Sequence, residues 1–155
     1  MSRFTLEVVP EGGATRDEER ACLDACHEIR RVVFVEEQRV DAALEWDELD
    51  ELGEHYLARR AEDGVALGTA RFRVVEGKGK AERVAVHAVA RKTGVGRFLM
   101  EVLAERARAR GCAEIILHAQ VAALPFYERL GYQAEGPVFD EAGIAHRAMR
   151  CLLTS

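Results

Sequence analysis

Apolar and polar positions repeat every two residues in some segments and every three to four in others, and each change of period marks an element. Phe4 to Val9 reads as a strand. Thr15 and Glu18 form a T-x-x-E capping box opening a helix, with an apolar face through Ala21, Cys22, Ala25, Cys26 and Ile29. An apolar patch, Val32 to Val35, passes into polar Glu36, Glu37 and Gln38. The segment Asp41 to Glu54 carries seven carboxylates, no Lys or Arg and few strand signals, so a loop with a short helix is expected. His55 to Ala61 and Val65 to Val75 read as strands about the hairpin signal Asp63-Gly64, with Thr69, Arg71 and Arg73 alternating against Ala70, Phe72 and Val74. Gly77 to Lys80 reads as the next turn and Glu82 to Ala88 as the next strand.

The period then lengthens. Val95, Phe98, Leu99, Val102, Leu103 and Ala107 share one helical face, and Gly111 stands where a helix C-cap is expected. Ala113 to His118 reads as a buried strand. Ala122 to Leu130 reads as a short helix with Pro125 in its first turn, closed by Gly131. Tyr132 to Gly136 and Ile144 to Leu153 read as final strands about an acidic turn at Asp140-Glu141. The order is β-α-α-β-β-β-α-β-α-β-β, which predicts a mixed α+β or α/β sheet with helices on both faces.

At 155 residues, 48% apolar and 32% charged, the chain has the composition of one soluble globular domain, 1–155, with a substantial core. No stretch approaches the roughly 18 apolar residues of a membrane span. MSRFTLEVVP lacks the pattern of a signal peptide, so a cytoplasmic location is expected. The net charge of −5 carries no basic footprint for nucleic acid. Charge is divided unevenly: residues 1–63 hold 8 basic and 18 acidic groups, residues 64–155 hold 14 and 9. Such a split suits a later half that binds an anion and an earlier half that binds a cation, or two solvated faces. Cys22, Cys26, Cys112 and Cys151 show no CxxC pair, so buried free thiols fit better than a metal site.

The most informative string is Glu82 to Met100, ERVAVHAVARKTGVGRFLM. A strand ends, a basic turn follows, two glycines appear and a helix begins. A helix start offers unpaired N–H groups and partial positive charge to an anion. Gly94 and Gly96 permit close backbone approach, and Arg91, Lys92 and Arg97 add full charges. Neither the G-x-x-x-x-G-K-[ST] loop nor G-x-G-x-x-G is present. Standing alone, R-x-x-G-x-G is as readily a helix cap.

Arg91-Lys92-Thr93-Gly94-Val95-Gly96 resembles the [QR]-x-x-G-x-[GA] loop of the GNAT N-acetyltransferase superfamily. Ala123 to Tyr132 is similar to its second motif, A-x-x-F-Y-x-x-x-G-[FY], at the expected distance downstream. Phe34 to Gln38, Glu45-x-Asp47-x-x-Asp50, His55, Ala119-Gln120 and Gly143 to His146 with Met149 resemble the ElaA-like subgroup. The chain departs from that pattern in having Ala145 where many relatives have Pro, and Gln120 where many members have Asn.

The resemblance implies a mostly antiparallel, mixed sheet of about six to seven strands, splayed between the fourth and fifth. It implies acetyl-CoA as cosubstrate and no metal. The pyrophosphate would rest on the amides of Lys92, Thr93, Gly94, Val95, Gly96 and Arg97, beside Arg91. The pantetheine arm would pair with Val84, Ala85 and Val86, where a backbone N–H would stabilise the thioester carbonyl. An amine of pKa near ~10.4 must lose a proton before direct attack. The departing thiolate must gain one, and Tyr127 stands at the family's position for that acid. As base, Glu82 and Glu37 rank ahead of His118, His146 and a water chain, with Gln38, His118, Gln120 and His146 lining the acceptor side. The acidic segment suits a cationic amine or a solvated loop, and Trp46 either anchors it or meets an apolar part of the substrate. The acceptor implied is a small-molecule or peptide amine, and a homodimer is compatible. The alternatives are acyl transfer like that of an acyl-homoserine-lactone synthase and a non-catalytic acyl-CoA sensor.

Overall fold

The strand-forming segments assemble into a seven-stranded sheet in the computed structural model, which describes residues 2–153. The strands are β1 (Phe4–Val9), β2 (Glu54–Arg60), β3 (Ala66–Val75), β4 (Lys78–Val86), β5 (Glu114–Gln120), β6 (Gln133–Glu141) and β7 (Ile144–Leu152). Their order is β1-β2-β3-β4-β5-β7-β6, with only the β4–β5 pair parallel. That pair is joined by the right length of chain for a crossover, α3 (Val95–Ala109). Two α-helices precede it, α1 (Asp17–Arg30) and α2 (Ala42–Glu45), and one follows, α4 (Leu124–Arg129).

Alternation along the central strands explains the two cores. Tyr56, Ala58, Ala70 and Phe72 point to the face covered by α3, where they meet Leu99, Leu103 and Ala107. Leu57 and Ala85 point the other way, onto Cys22, Cys26, Ile29 and Val33 of the α1 side. Cys22, Cys26 and Cys112 are buried free thiols. Among the described residues no helix is long and apolar enough to cross a membrane.

Several boundaries differ from the sequence reading. The helix cap is shifted by one residue: α1 begins at Asp17, which makes Glu19 rather than Glu18 its third residue. The Glu19 carboxylate accepts from the Thr15 N–H and hydroxyl, both at 3.1 Å, and from the Arg16 N–H at 3.3 Å. Val32 to Val35 continue the helical path as a wider π-helical stretch, Arg31–Glu37. Strand β4 starts at Lys78, so Lys78 to Lys80 are strand, and the turn falls at Glu76-Gly77, both at positive φ. Strand β6 runs through Asp140-Glu141, and the turn falls instead at Ala142-Gly143, again both at positive φ.

The acidic segment has the expected short helix, but it is only partly a solvated loop. It forms α2 and a 3₁₀ turn, Glu48–Leu52, and Glu45, Asp47 and Asp50 face inward onto arginines while Asp41, Glu48 and Glu51 stay exposed. Arg71 is 0% exposed and binds Asp47 at 2.7 Å and Asp50 at 2.9 Å; Arg30 is 1% exposed and binds Glu45 at 2.6 Å and Asp50 at 2.9 Å. The polar side of β3 is therefore as buried as the apolar side. Burial alone would raise the Asp50 pKa, but His27, Arg30 and Arg71 outweigh it and hold the carboxyl far below the usual carboxylate range. Trp46 stays 62% exposed with its ring against His27 at 4.9 Å, anchoring the segment outside the central cavity.

Candidate active site

Strands β4 and β5 are paired only at Gly79–Ile115, Lys80–Ile116 and Ala81–Leu117. Beyond that point Glu82, Ala85 and Val86 keep their pairing to β3, and His118 to Gln120 keep theirs to β7. The two strands thus part, and a cavity of about 610 Å³ opens between them. Val84, Ala85 and Val86 form one wall; Leu117 to Gln120 form the other; Tyr127 lines the same space. Strand edges that face a cavity present unpaired amides and carbonyls, which an extended ligand can satisfy as an added strand.

A bulge shapes the β4 wall. Thr69 pairs with Ala85 but Arg71 pairs with Glu82, so β4 carries one extra residue there. Arg83 takes the strain with a left-handed φ of 52°. Its guanidinium reaches across to the Glu45 carbonyl and the Asp47 carboxylate, each at 3.1 Å, closing the cavity with the acidic segment. The sequence carried no signal for this bulge, because arginine is not a residue that marks positive φ.

At the outer end of β4 the chain makes a 3₁₀ turn, Ala88–Ala90, and enters α3 through Gly94, whose φ of 97° an L side chain rarely adopts. The first α3 backbone bond here runs from the Phe98 N–H to the Gly94 carbonyl at 2.9 Å. The amides of Val95, Gly96 and Arg97 precede it and have no hydrogen-bond acceptor among the described residues, the usual state of first-turn amides. Gly96 serves another contact as well: a Cβ there would come within 3.2 Å of the Phe126 ring. The loop is held from behind. The Thr93 hydroxyl donates to the Ala90 carbonyl, and Arg3 donates to the Thr93 carbonyl at 2.5 Å. Arg91 donates to the Val86 carbonyl at 3.1 Å and pairs with Glu37 at 2.8 Å; Arg97 pairs with Glu101 at 2.9 Å. Lys92 is exposed at a left-handed φ of 66°. Open amides, a left-handed glycine and an unpaired strand edge leading to a buried phenol are the kind of donors that an extended, anionic ligand such as coenzyme A calls for.

Tyr127 is presented by α4, whose first turn contains Pro125. Its ring packs on Phe126 at 4.9 Å and Tyr132 at 5.8 Å, so it is both a core aromatic and a cavity residue. Burial pushes its pKa up to about 12, which keeps the phenol protonated at neutral pH.

The remaining expected residues divide. Gln38, Glu82, His118, Gln120 and His146 line the cavity. Gln38 and Gln120 hydrogen-bond side chain to side chain at 2.8 Å, tying the π-helical stretch to the end of β5. Glu37 is not brought to the cavity; it holds Arg91 instead. Glu82 is at the cavity wall but clamped by Arg73 at 2.5 Å, Arg71 at 3.3 Å and Lys80 at 3.8 Å. Burial raises its pKa, yet these cations prevail and leave the carboxyl below its ordinary value, a poor proton acceptor. Glu141, expected from the sequence to lie in a turn, lines the cavity between His118 and His146. Period-two counting from Phe139 along a longer β6 would have placed it on that face.

Comparison with known proteins agrees with this geometry. The acetyltransferase (GNAT) domain profile matches residues 22–153. An uncharacterised N-acetyltransferase of Bacillus subtilis (strain 168), YjcF, is 40% identical over 122 residues, 78% of this chain and 86% of that protein. The crystal structure of an acyl-CoA N-acyltransferase from Pseudomonas aeruginosa superposes with a TM-score of 0.75 at 29% identity, covering 96% of this chain and 98% of that one. Escherichia coli ElaA shares the fold, with a TM-score of 0.79 at 22% identity over 96% of this chain and 99% of ElaA.

Proposed function

The chain belongs to the GNAT acetyltransferase family and is an acyltransferase, and from that premise we propose that it moves an acetyl group from acetyl-CoA to a primary amine of a small molecule or peptide. The observation that carries the proposal is the parting of β4 and β5, with open first-turn amides at one end of the gap and Tyr127 within it. When bound, acetyl-CoA supplies an activated thioester. The amides from Lys92 to Arg97 bind its pyrophosphate, with Gly94 setting the turn. The edge of Val84 to Val86 aligns the pantetheine arm, and a backbone N–H beside the bulge meets the thioester carbonyl. Alignment of this kind makes the attack effectively unimolecular. Tyr127 donates its phenolic proton to the departing sulfur. The Gln38–Gln120 pair bounds the acceptor side.

Isothermal calorimetry with coenzyme A, followed by thiol release from acetyl-CoA against a panel of amines, tests the proposal. Heat on coenzyme A addition and amine-dependent thiol release are expected. Absence of heat overturns it, and release with acyl-carrier-protein donors alone moves the chain to a different acyl transfer.

A further inference from the structure

Glu45, Asp47 and Glu82 at the cavity are each bound by arginine. Glu141 is the exception: the groups against it are two imidazoles, His118 Nδ1 at 3.1 Å and His146 Nε2 at 3.6 Å. His146 is only 7% exposed, and its orientation is fixed from three sides. Its Nδ1 lies 2.7 Å from the Ile144 carbonyl oxygen, which can only accept, so Nδ1 carries the proton. The Phe139 ring stacks on it at 6.0 Å and 25°, and meets His118 edge-on at 5.0 Å. In the tautomer with the proton on Nδ1 alone, the Nε2 lone pair points at Glu141 Oε2. Two acceptors facing each other at 3.6 Å are too far for a hydrogen bond and well placed to share a donor.

We propose that His146 Nε2 and Glu141 form the site that receives the acceptor ammonium, with His146 as the general base and His118 positioning the Glu141 carboxylate. The inference rests on the amine-acceptor reading above. The ammonium donates one proton to the Nε2 lone pair, leaving an imidazolium against Glu141. The freed nitrogen pair forms the C–N bond, the C–S bond breaks, and the sulfur takes the Tyr127 proton. The second nitrogen proton returns through solvent to Tyr127, and the imidazolium releases its own past half-exposed Glu141. Free coenzyme A, the acetamide and one net proton result.

His146→Asn preserves a donor toward the Ile144 carbonyl and removes the base. For an alkylamine acceptor, turnover should fall by about 10²–10⁴-fold with acetyl-CoA affinity unchanged. With methoxyamine, which is uncharged at neutral pH, the loss should be under about tenfold, since there is no ammonium to deprotonate. Equal loss for both overturns the assignment. Nitrogen NMR of the His146 ring gives a readout that needs no acceptor: Nδ1–H is expected, and Nε2–H overturns the proposal. A chain that binds coenzyme A but acetylates no amine sinks the amine reading, whereas a wrong tautomer sinks this inference alone.

Discussion

Tyr127, the proposed acid, joins a packing role to a chemical one. Its ring is held by Phe126 and Tyr132, while burial keeps its hydroxyl protonated in the cavity. Tyr127→Phe keeps the ring and removes the proton. Turnover should drop by roughly 10²–10⁴-fold while the calorimetric affinity for acetyl-CoA stays within twofold; unchanged turnover would place the acid elsewhere. Arg83 is the opposite case, a residue whose backbone works against its side chain. Its left-handed φ costs about 1–2 kcal/mol for any residue with a Cβ. Arg83→Gly and Arg83→Ala both lose the bonds to Glu45 and Asp47, but only glycine relieves the backbone. The glycine variant should be the more stable by about 1 kcal/mol in urea titration, the reverse of the order in a regular helix.

At the scale of elements, the start of α3 is the proposed donor site, and its two glycines do different work. Gly94 adopts a φ of 97°, so Gly94→Ala should destabilise by about 1–2 kcal/mol and weaken acetyl-CoA binding, because the amides behind it turn away. Gly96 is helical, and there the gain in helix propensity of up to about 1 kcal/mol opposes a 3.2 Å approach to the Phe126 ring. Gly96→Ala should therefore leave the melting temperature nearly unchanged; a large drop would mean that α3 and α4 cannot shift apart. The helix itself was legible, since Val95, Leu99, Leu103 and Ala107 mark a buried stripe and Gly111 closes it. So was the loop, because R-x-x-G-x-G joins a strand to that stripe. The bulge and the true ends of β4 and β6 were not legible. Pairing partners far along the chain set them, and nothing in the local residues distinguishes a strand that continues from one that stops.

For the whole molecule, the buried ion-pair network beneath β3 couples stability to acid. Asp47, Asp50 and Glu82 there, and Glu54 beside Arg106 on the α3 side of the sheet, are all pulled below their ordinary pKa values: burial opposes the shift, and the facing arginines prevail. Groups lowered by folding contribute stability that is full above the unfolded value of about 4 and is lost as pH falls through the folded values. Unfolding free energy should be nearly flat from pH 7 to pH 5 for these groups and fall steeply below about pH 4, measured by urea titration at each pH. Arg71→Met removes the cation shared by Asp47, Asp50 and Glu82. It should cost about 3–5 kcal/mol at pH 7, and less at pH 3, where the stranded carboxylates can take up protons. A cost independent of pH would show that packing, rather than charge, holds the segment.

Sequence alone determined the element order, the glycine loop at the start of α3 and the position of the phenol, because each is written in neighbouring residues: a hydrophobic period, a glycine before a helix, an aromatic pair after a proline. Tertiary structure decided what those residues face. Only the folded sheet shows the acidic segment turned onto buried Arg30 and Arg71, Glu37 spent on Arg91, and Glu141 lodged between two histidines. A charge's role depends on its partner and its solvent, and both come from chain segments tens of residues away.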